Sequence, residues 1–574
     1  MFNDAISFVG LNEIELIGRK FTWSNQQHPS PLLEKLDWVF SNAAWTVSFP
    51  STSVKALGME PSHHCPCLIS ISTSIPRRSP FRFENFWLKN EQFLPLIQHG
   101  WSTPVIQSDK AKILTAKFKK LRQVLRDWQA SQINLGTIIQ NVKRIIQLLE
   151  VMRDYRDLSL QEWNFLGLLN DRLNELLLLQ KTYYKQRGAI KWAKLGDAGT
   201  YFFHANASLR NRKKLITQLT LSDGSIVSNH KDKELAIWEE YKIRLGISEF
   251  EGFSVDFTAF VNRLDNLDSL EDPFSNVEVD DVIKNLPNNK SPGPDGFNNE
   301  FYKKCWNIIK TDFYNLCSAF HGGNICLKSL NSSLITLIPK NDSPSDINDY
   351  RPISLLNSFV KLLTKILANR LQPVITKLIH KNQYGFIQSR TIQDCLAWAF
   401  EYLHLCHHSK KQIVIIKIDF EKAFDKIEHQ AILNILKAKG FGSRWLSWIE
   451  AILTSATSAV LLNRMPGKKF NCKRGVRQGD PLSPLLFVLA ADFLQSMINN
   501  AKDMGQLNLP IQMQHNKDFP VIQYADDTLI IAEGDPKQLF FLRSVMNTFS
   551  LNTGLKVNFM KTMMVPINVP EERL

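Results

Sequence analysis

Cysteine is scarce in this chain. Its eight cysteines in 574 residues, Cys65, Cys67, Cys305, Cys317, Cys326, Cys395, Cys406 and Cys472, are irregularly spaced, which fits reduced thiols rather than a disulfide framework. Long apolar runs are missing too. The nearest approach, PLLFVLAADFL from Pro484, is broken by Asp492 and falls short of the roughly 18 residues that span a bilayer, so it reads as a buried helix. The opening MFNDAISFVG lacks the basic start and apolar middle of a signal peptide. Together these absences lead to the expectation of an intracellular protein, nuclear and/or cytoplasmic, with no membrane partner. No internal repeat or low-complexity tract appears, which removes solenoids and propellers. Acidic residues are the minority charge, 55 against 69 basic ones, leaving a net charge of +14. A basic excess on a folded chain points to a polyanionic partner, nucleic acid first.

What is present is globular: 44% hydrophobic and 22% charged residues, spread over a length that needs several folding units. Residues 1 to about 75 carry short strand-like runs such as RKFTWSNQQHPS and KLDWVFSN. From Asp109 the apolar residues Leu114, Phe118, Leu121, Leu125 and Trp128 recur at helical spacing, followed by Val142, Ile146, Leu149 and Met152, then Leu169, Leu173 and Leu176. Each run lasts a few turns, which predicts packed antiparallel helices rather than a long coiled coil. The segment GAIKWAKLGDAGTYFFHANASLRNRKKLI interleaves basic residues with rings. That composition suits backbone binding with stacking, or equally a solvated basic face. Acidic, Pro-containing sequence near 250 to 274 marks a boundary, after which Ser275 and Glu278 predict a capping box.

Two features carry chemistry. In FPVIQYADDTLIIA, Val521–Gln523 and Leu529–Ala532 read as two strands joined by a turn at Ala525–Thr528, which sets Asp526 and Asp527 at one tip. Adjacent like charges are tolerable where a hard divalent cation, Mg²⁺ above all, offsets them; a solvated turn rich in Asp is the bland alternative. A second run, QIVIIKIDFEKAFD, ends its β-branched residues at Asp419. One acid from this strand and two from the hairpin could clamp two metals about 3.5–4 Å apart, the arrangement of two-metal phosphoryl transfer.

In this order and spacing KIDFEKAFD, KRGVRQGDPLSPLLFVLAADFL and YADD resemble the palm motifs of a reverse transcriptase. Upstream, LITLIPKNDSPSDINDYRPISLLNSFVKLLTKILANRL and KNQYGFIQSRTIQDCL resemble the fingers of LINE-type non-LTR retrotransposon enzymes, and SPGPDGFNNEFYKKCW their opening segment; TGLKVNFMKT resembles the motif after the catalytic hairpin. The resemblance covers about residues 276 to 565, and the helical insert with FRFENFWL is most similar to plant members.

The resemblance implies that Asp419, Asp526 and Asp527 bind catalytic Mg²⁺ (or Mn²⁺), with Asp527 more supporting than direct. It makes Phe424 the bulky residue beneath the incoming sugar, excluding a 2′-hydroxyl by steric clash. Gln478 and Gly479 become the turn that contacts nucleotide and template. Lys340 and Arg351 become basic finger residues near the triphosphate or template, Arg390 a template contact, and Lys561 a proton donor to pyrophosphate. The implied partners are an RNA template, a DNA primer and deoxynucleoside triphosphates, with an element-encoded RNA-binding protein as a possible further one.

At the amino end FTWSN, KLDWVFSN and SHHCP resemble the last third of the apurinic-type endonuclease that such elements encode. Asp37 matches the acid that orients a His and His64 matches that His, but His63 stands where the family has Asp, and Trp38 where it often has a basic residue. Residues 1 to about 75 are therefore expected not to cut DNA. A zinc site at His63, His64, Cys65 and Cys67 fits standard ligand spacings poorly.

The expected fold is α+β and multidomain. It comprises an endonuclease remnant of the endonuclease/exonuclease/phosphatase α/β sandwich (1–75), a helical basic linker region (76–274), and the fingers (275–405) and palm (406–574) of a right-hand polymerase without a thumb. The expected function is RNA-directed DNA polymerisation by two-metal nucleotidyl transfer, in a truncated, weakly active or inactive copy. The alternative is a catalytically silent nucleic-acid-binding relic.

Overall fold

The computed structural model describes residues 6, 11–14, 16–17, 19–27, 30–42, 45, 49, 52–58, 62–71, 80–107, 109–188, 214–249, 255–341, 344–513 and 517–570. Near the amino end, β1 (Asn12–Glu13), β2 (Leu16–Ile17), β3 (Trp23–Ser24), β4 (Leu33–Glu34), β5 (Phe40–Ser41), β6 (Ser53–Ala56) and β7 (Cys67–Ser70) form three small sheets, β1-β5, β2-β6-β7 and β3-β4. Alternation along β6 turns Val54 and Ala56 inward onto Ile14, Leu16 and Cys65.

The helical periodicity read from the sequence forms at the expected register. Helices α1 (Phe93–Ser102) and α2 (Lys110–Ser131) are followed by α3 (Leu135–Tyr155) and α4 (Leu160–Gly188). Leu114, Phe118, Leu121 and Leu125 are buried along α2, whose first turn is capped by the Asp109 carboxylate accepting from the Ala111 amide at 2.7 Å. Helices α3 and α4, joined by residues 156–159, fold back on one another around Val142, Ile146, Leu149, Leu169 and Leu176. The first part of the 76–274 stretch does not stand apart: Phe83, Trp101, Phe118 and Leu121 share one core with Phe297, Phe301, Phe313 and Phe359, because amphipathic helices bury their apolar stripe on the nearest matching surface. The basic-aromatic segment at 189–213 lies outside the described residues.

Next come β8 (Leu219–Thr220), β9 (Ile226–Val227), α5 (His230–Gly246) and α6 (Asn276–Lys284). At the start of α6 the Ser275 hydroxyl accepts from the Glu278 amide at 3.2 Å, which is half of the expected capping box. The other half does not form, because Arg370 takes the Glu278 carboxylate with two hydrogen bonds of 2.8 Å. A bidentate, charge-assisted pair outcompetes one bond to a backbone amide.

Helix α7 (Asn299–His321) leads into β10 (Ser332–Pro339) and β11 (Tyr350–Leu356), an antiparallel pair, and α8 (Ser358–Leu378) and α9 (Ile392–His408) follow. Strand β12 (Ile413–Ile418), helices α10 (Ala423–Lys426), α11 (His429–Ala438) and α12 (Ser443–Thr454), strands β13 (Thr457–Leu462), β14 (Met465–Pro466) and β15 (Phe470–Asn471) and helices α13 (Ser483–Ala491) and α14 (Phe493–Asp503) come next. The described elements close with β16 (Val521–Tyr524), β17 (Asp527–Glu533), α15 (Pro536–Thr553) and β18 (Met563–Ile567). Strands β10 and β13 pair in parallel in a five-stranded sheet.

The site rests on a second, wholly antiparallel sheet of order β16-β17-β12-β18. Both faces of its β16-β17-β12 part are covered, which is why those strands read as apolar runs, whereas the edge strand β18 is largely exposed. Val414, Ile416, Ile418, Val521 and Ile530 face the main helical core, whereas Ile413, Ile522 and Ile531 face Cys395, Ala399, Tyr402 and Cys406 of α9. Among the described residues no helix is long and apolar enough to cross a membrane.

Candidate active site

Strand register brings the distant acids together. Ile418 of β12 pairs with Thr528 of β17, and Asp527 pairs with Tyr524 across the hairpin. One step beyond Ile418, Asp419 therefore comes alongside Asp527, on strands about 4.8 Å apart, with Asp526 at the tip. The turn is tighter than the sequence predicts: β17 already starts at Asp527, leaving Ala525 and Asp526 as a two-residue loop. Ala525 takes a positive φ of 60°, the left-handed region that a residue with a Cβ adopts sparingly.

The electrostatics match this crowding. Desolvation at the tip raises the Asp526 carboxyl above its ordinary value, even though the residue as a whole is exposed, and the charges of Asp527 and Asp419 push it the same way. No lysine or arginine forms an ion pair with any of the three among the described residues. Nor does any group of three His, Cys, Asp or Glu side chains there converge into a ready-made metal cluster. Three uncompensated carboxylates with hard oxygen donors suit a divalent cation such as Mg²⁺, which supplies the missing positive charge.

Asp419 is itself anchored by a residue the sequence reading overlooked. The Asn558 amide donates to the Asp419 carbonyl at 2.8 Å, and the Asn558 side chain to its carboxylate at 3.3 Å. Lys561 lies in the same turn, exposed, its amide bonded to the Asn558 carbonyl at 3.1 Å. Phe424, on α10 just past Asp419, stacks on Phe487 with centroids 4.4 Å apart and planes 15° apart, and meets Phe386 edge-on at 6.1 Å. Its ring is held on two sides.

The Gln478–Gly479 turn closes against the fingers strand. The Ser354 amide donates to the Gln478 carbonyl at 2.7 Å, and a Cβ on Gly479, whose φ is +112°, would stand 2.7 Å from the Ser354 carbonyl. Only glycine fits there. Asp480 is buried; desolvation raises its carboxyl while Arg477, 3.4 Å away, opposes the rise. Lys340 and Arg351 lie exposed at the ends of β10 and β11, the Lys340 ammonium donating to the Asn348 carbonyl at 2.8 Å. Arg390 is half-buried and donates to the main-chain carbonyls of His380 and Gln383 at 2.6 and 2.5 Å.

Behind the site a buried charge network ties α5 to the Asp419 loop. Arg244 lies 2.6 Å from Glu240 and 3.7 Å from the buried Asp425, and Arg474 lies 3.0 Å from Glu249 and 3.8 Å from the buried Glu428. Glu240 lies one helical turn before Arg244, but nothing in the local sequence marks the pairings of Arg244 with Asp425 and of Arg474 with Glu249, which join positions about two hundred residues apart.

At the amino end the structure brings Asp37 and His64 together, 2.8 Å between Oδ2 and Nδ1. The hydrogen bond from His64 lowers the Asp37 carboxyl below its ordinary range.

Comparison with known proteins adds to this geometry. Residues 338–569 match the family model described as reverse transcriptase (RNA-dependent DNA polymerase). The chain is 26% identical over 533 residues, 87% of its own length and 38% of the relative's, to the transposon TX1 uncharacterized 149 kDa protein of Xenopus laevis. It is 28% identical over 237 residues, 40% of its length and 32% of the relative's, to the retrovirus-related Pol polyprotein from type-1 retrotransposable element R2 of Popillia japonica. To the RNA-directed DNA polymerase from mobile element jockey of Drosophila melanogaster it is 25% identical over 260 residues, 45% of its length and 27% of the relative's. The chain thus spans about a third of the length of these curated relatives.

Proposed function

We propose that this chain, whose residues 338–569 carry a reverse transcriptase domain, is the RNA-directed DNA polymerase portion of a LINE-type non-LTR retrotransposon protein. Its relatives bear the names of such elements. The observation that carries the reading is the register that sets Asp419 beside the Asp526–Asp527 tip with no cation paired to them among the described residues.

In the proposed reaction a primer 3′-oxygen bonds to the α-phosphorus of a deoxynucleoside triphosphate, the bond from that phosphorus to the bridging oxygen breaks, and pyrophosphate leaves. Asp419 and Asp526 would hold the Mg²⁺ (or Mn²⁺), with Asp527 supporting. When bound, the metal favours deprotonation of the primer hydroxyl and neutralises phosphate charge. Phe424 sits under the sugar, its ring immobilised by Phe487, and excludes a 2′-hydroxyl. Gln478 and Gly479 offer main chain to nucleotide and template, Lys340 and Arg351 neutralise phosphates, and Lys561 delivers a proton to pyrophosphate. Arg390 shapes the loop through which the template would pass. The plant-like character, the fingers and palm division, and a disabled endonuclease remnant around Asp37 and His64 belong to the same proposal.

The test is incorporation of deoxynucleotides on a homopolymer RNA template with a DNA primer. Asp526→Ala should lower incorporation by at least about a hundredfold, the scale on which removal of preorganised charge acts; undiminished synthesis in that variant would refute the site. Absence of incorporation in the native chain, with salt-sensitive nucleic-acid binding retained, favours a silent binding relic instead.

A further inference from the structure

We infer that Gln383 is a positioning residue of the catalytic hairpin, its buried side-chain amide holding Ala525 in the backbone conformation that presents Asp526 to a divalent cation. The inference rests on the reading of Asp419, Asp526 and Asp527 as a metal-binding set. It begins from a physical demand: a two-residue turn with a positive φ at a residue bearing a Cβ needs outside support, and the Ala525 amide, lying in the loop, has no strand partner.

Gln383 meets that demand from a chain position 142 residues away. Its side chain is fully buried. Its Oε1 accepts from the Ala525 amide at 3.0 Å and from the Gly385 amide at 2.9 Å. The segment around it adds an extra parallel rung to the hairpin: the Gln523 amide donates to the Asn382 carbonyl at 2.9 Å and the Tyr384 amide to the Gln523 carbonyl at 2.8 Å. A Cβ on Gly385 would stand 2.3 Å from the Ala525 nitrogen, so the two backbones touch directly. Arg390 closes the loop by donating to the Gln383 carbonyl. The residue so held is the immediate neighbour of Asp526, and a rotation at Ala525 turns that carboxylate away from Asp419.

The experiment titrates Mn²⁺, followed by the loss of its free-ion electron paramagnetic resonance signal, onto the full chain without nucleic acid. Gln383→Met keeps the side-chain length and removes the acceptor. It should weaken Mn²⁺ binding about tenfold, the scale of one hydrogen bond. Adding Ala525→Gly should restore affinity to within about threefold, because glycine adopts a positive φ without a Cβ penalty. Native affinity in Gln383→Met, or a double variant as weak as the single, overturns the inference. A role confined to general stability would not be rescued by the glycine. Gln383→Asn, one methylene shorter, gives the same readout if the methionine variant does not fold.

Asp526→Asn separates the two readings. If it binds Mn²⁺ as the native chain does, the metal assignment falls. Amide hydrogen exchange then decides the positioning role: faster exchange at residues 524–527 in Gln383→Met with 413–418 unchanged supports it, and unchanged exchange overturns it.

Discussion

Phe424 and His429 lie five residues apart and respond to different perturbations. Phe424 is held face-on by Phe487 and edge-on by Phe386, and in the proposed reaction a ring so held is what excludes a 2′-hydroxyl. Phe424→Val should therefore narrow the preference for deoxy- over ribonucleotides by on the order of 100-fold, read as a ratio of kcat/KM values, while deoxynucleotide incorporation persists. His429 is buried, and its ring nitrogen lies 2.9 Å from the Gly475 carbonyl. Burial lowers its pKa from 6.5 to about 4. Between those two values the unfolded chain binds the proton and the folded one does not, so stability falls as pH drops from about 6.5 toward 4 and is fully present above. The loss amounts to on the order of 3 kcal/mol at the acid end. Denaturant midpoints at pH 7.5 and 5 should differ less in His429→Gln, whose amide still donates to Gly475 and does not titrate.

At the scale of elements, α5 and the residues after it belong mechanically to the Asp419 loop. Arg474 is buried beside the buried Glu428, which also accepts from the Ser248 hydroxyl at 2.7 Å and the Glu249 amide at 3.0 Å. Arg474→Met leaves that carboxylate without its cation, which should cost about 3–5 kcal/mol of unfolding free energy. A chain beginning at residue 275 loses both this network and the aromatic core shared by Phe83, Trp101 and Phe118, so it should show no cooperative thermal transition, whereas one beginning at residue 80 should retain it. Much of this level was legible beforehand. Leu114 to Leu125 announced one helix face, and the β-branched run ending at Asp419 announced the strand that carries it. Glu278 misled because Arg370, 92 residues on, claims its carboxylate. Gln383 and Asn558 were invisible because a lone amide side chain acquires its meaning only from a partner about 140 residues distant, and periodicity carries no information at that range.

At the scale of the whole molecule, the proposed function assigns affinity to the net charge of +14 and chemistry to the three aspartates, and the two separate experimentally. Neutralising phosphates releases counterions, so the logarithm of the association constant should fall linearly with the logarithm of salt concentration, by about 0.9 per phosphate contacted on a duplex and about 0.7 on a single strand. Lys340 and Arg351 sit exposed at one end of a hairpin whose other end packs into the core, and in the proposed function each contacts one phosphate, Lys340 by exchanging its bond to the Asn348 carbonyl. Substituting both with Ala should reduce the slope by about 1.8 on a template–primer duplex, weakening binding uniformly across sequences. Asp526→Asn should leave that slope unaltered, because it removes an anion from the tip and no cation from the binding surface. A slope indifferent to Lys340 and Arg351 would move the nucleic-acid path to another basic face. An Asp526→Asn slope that changed as much as theirs would mean that the substitution disturbs the cationic binding surface itself, and would separate the tip from the role proposed for it.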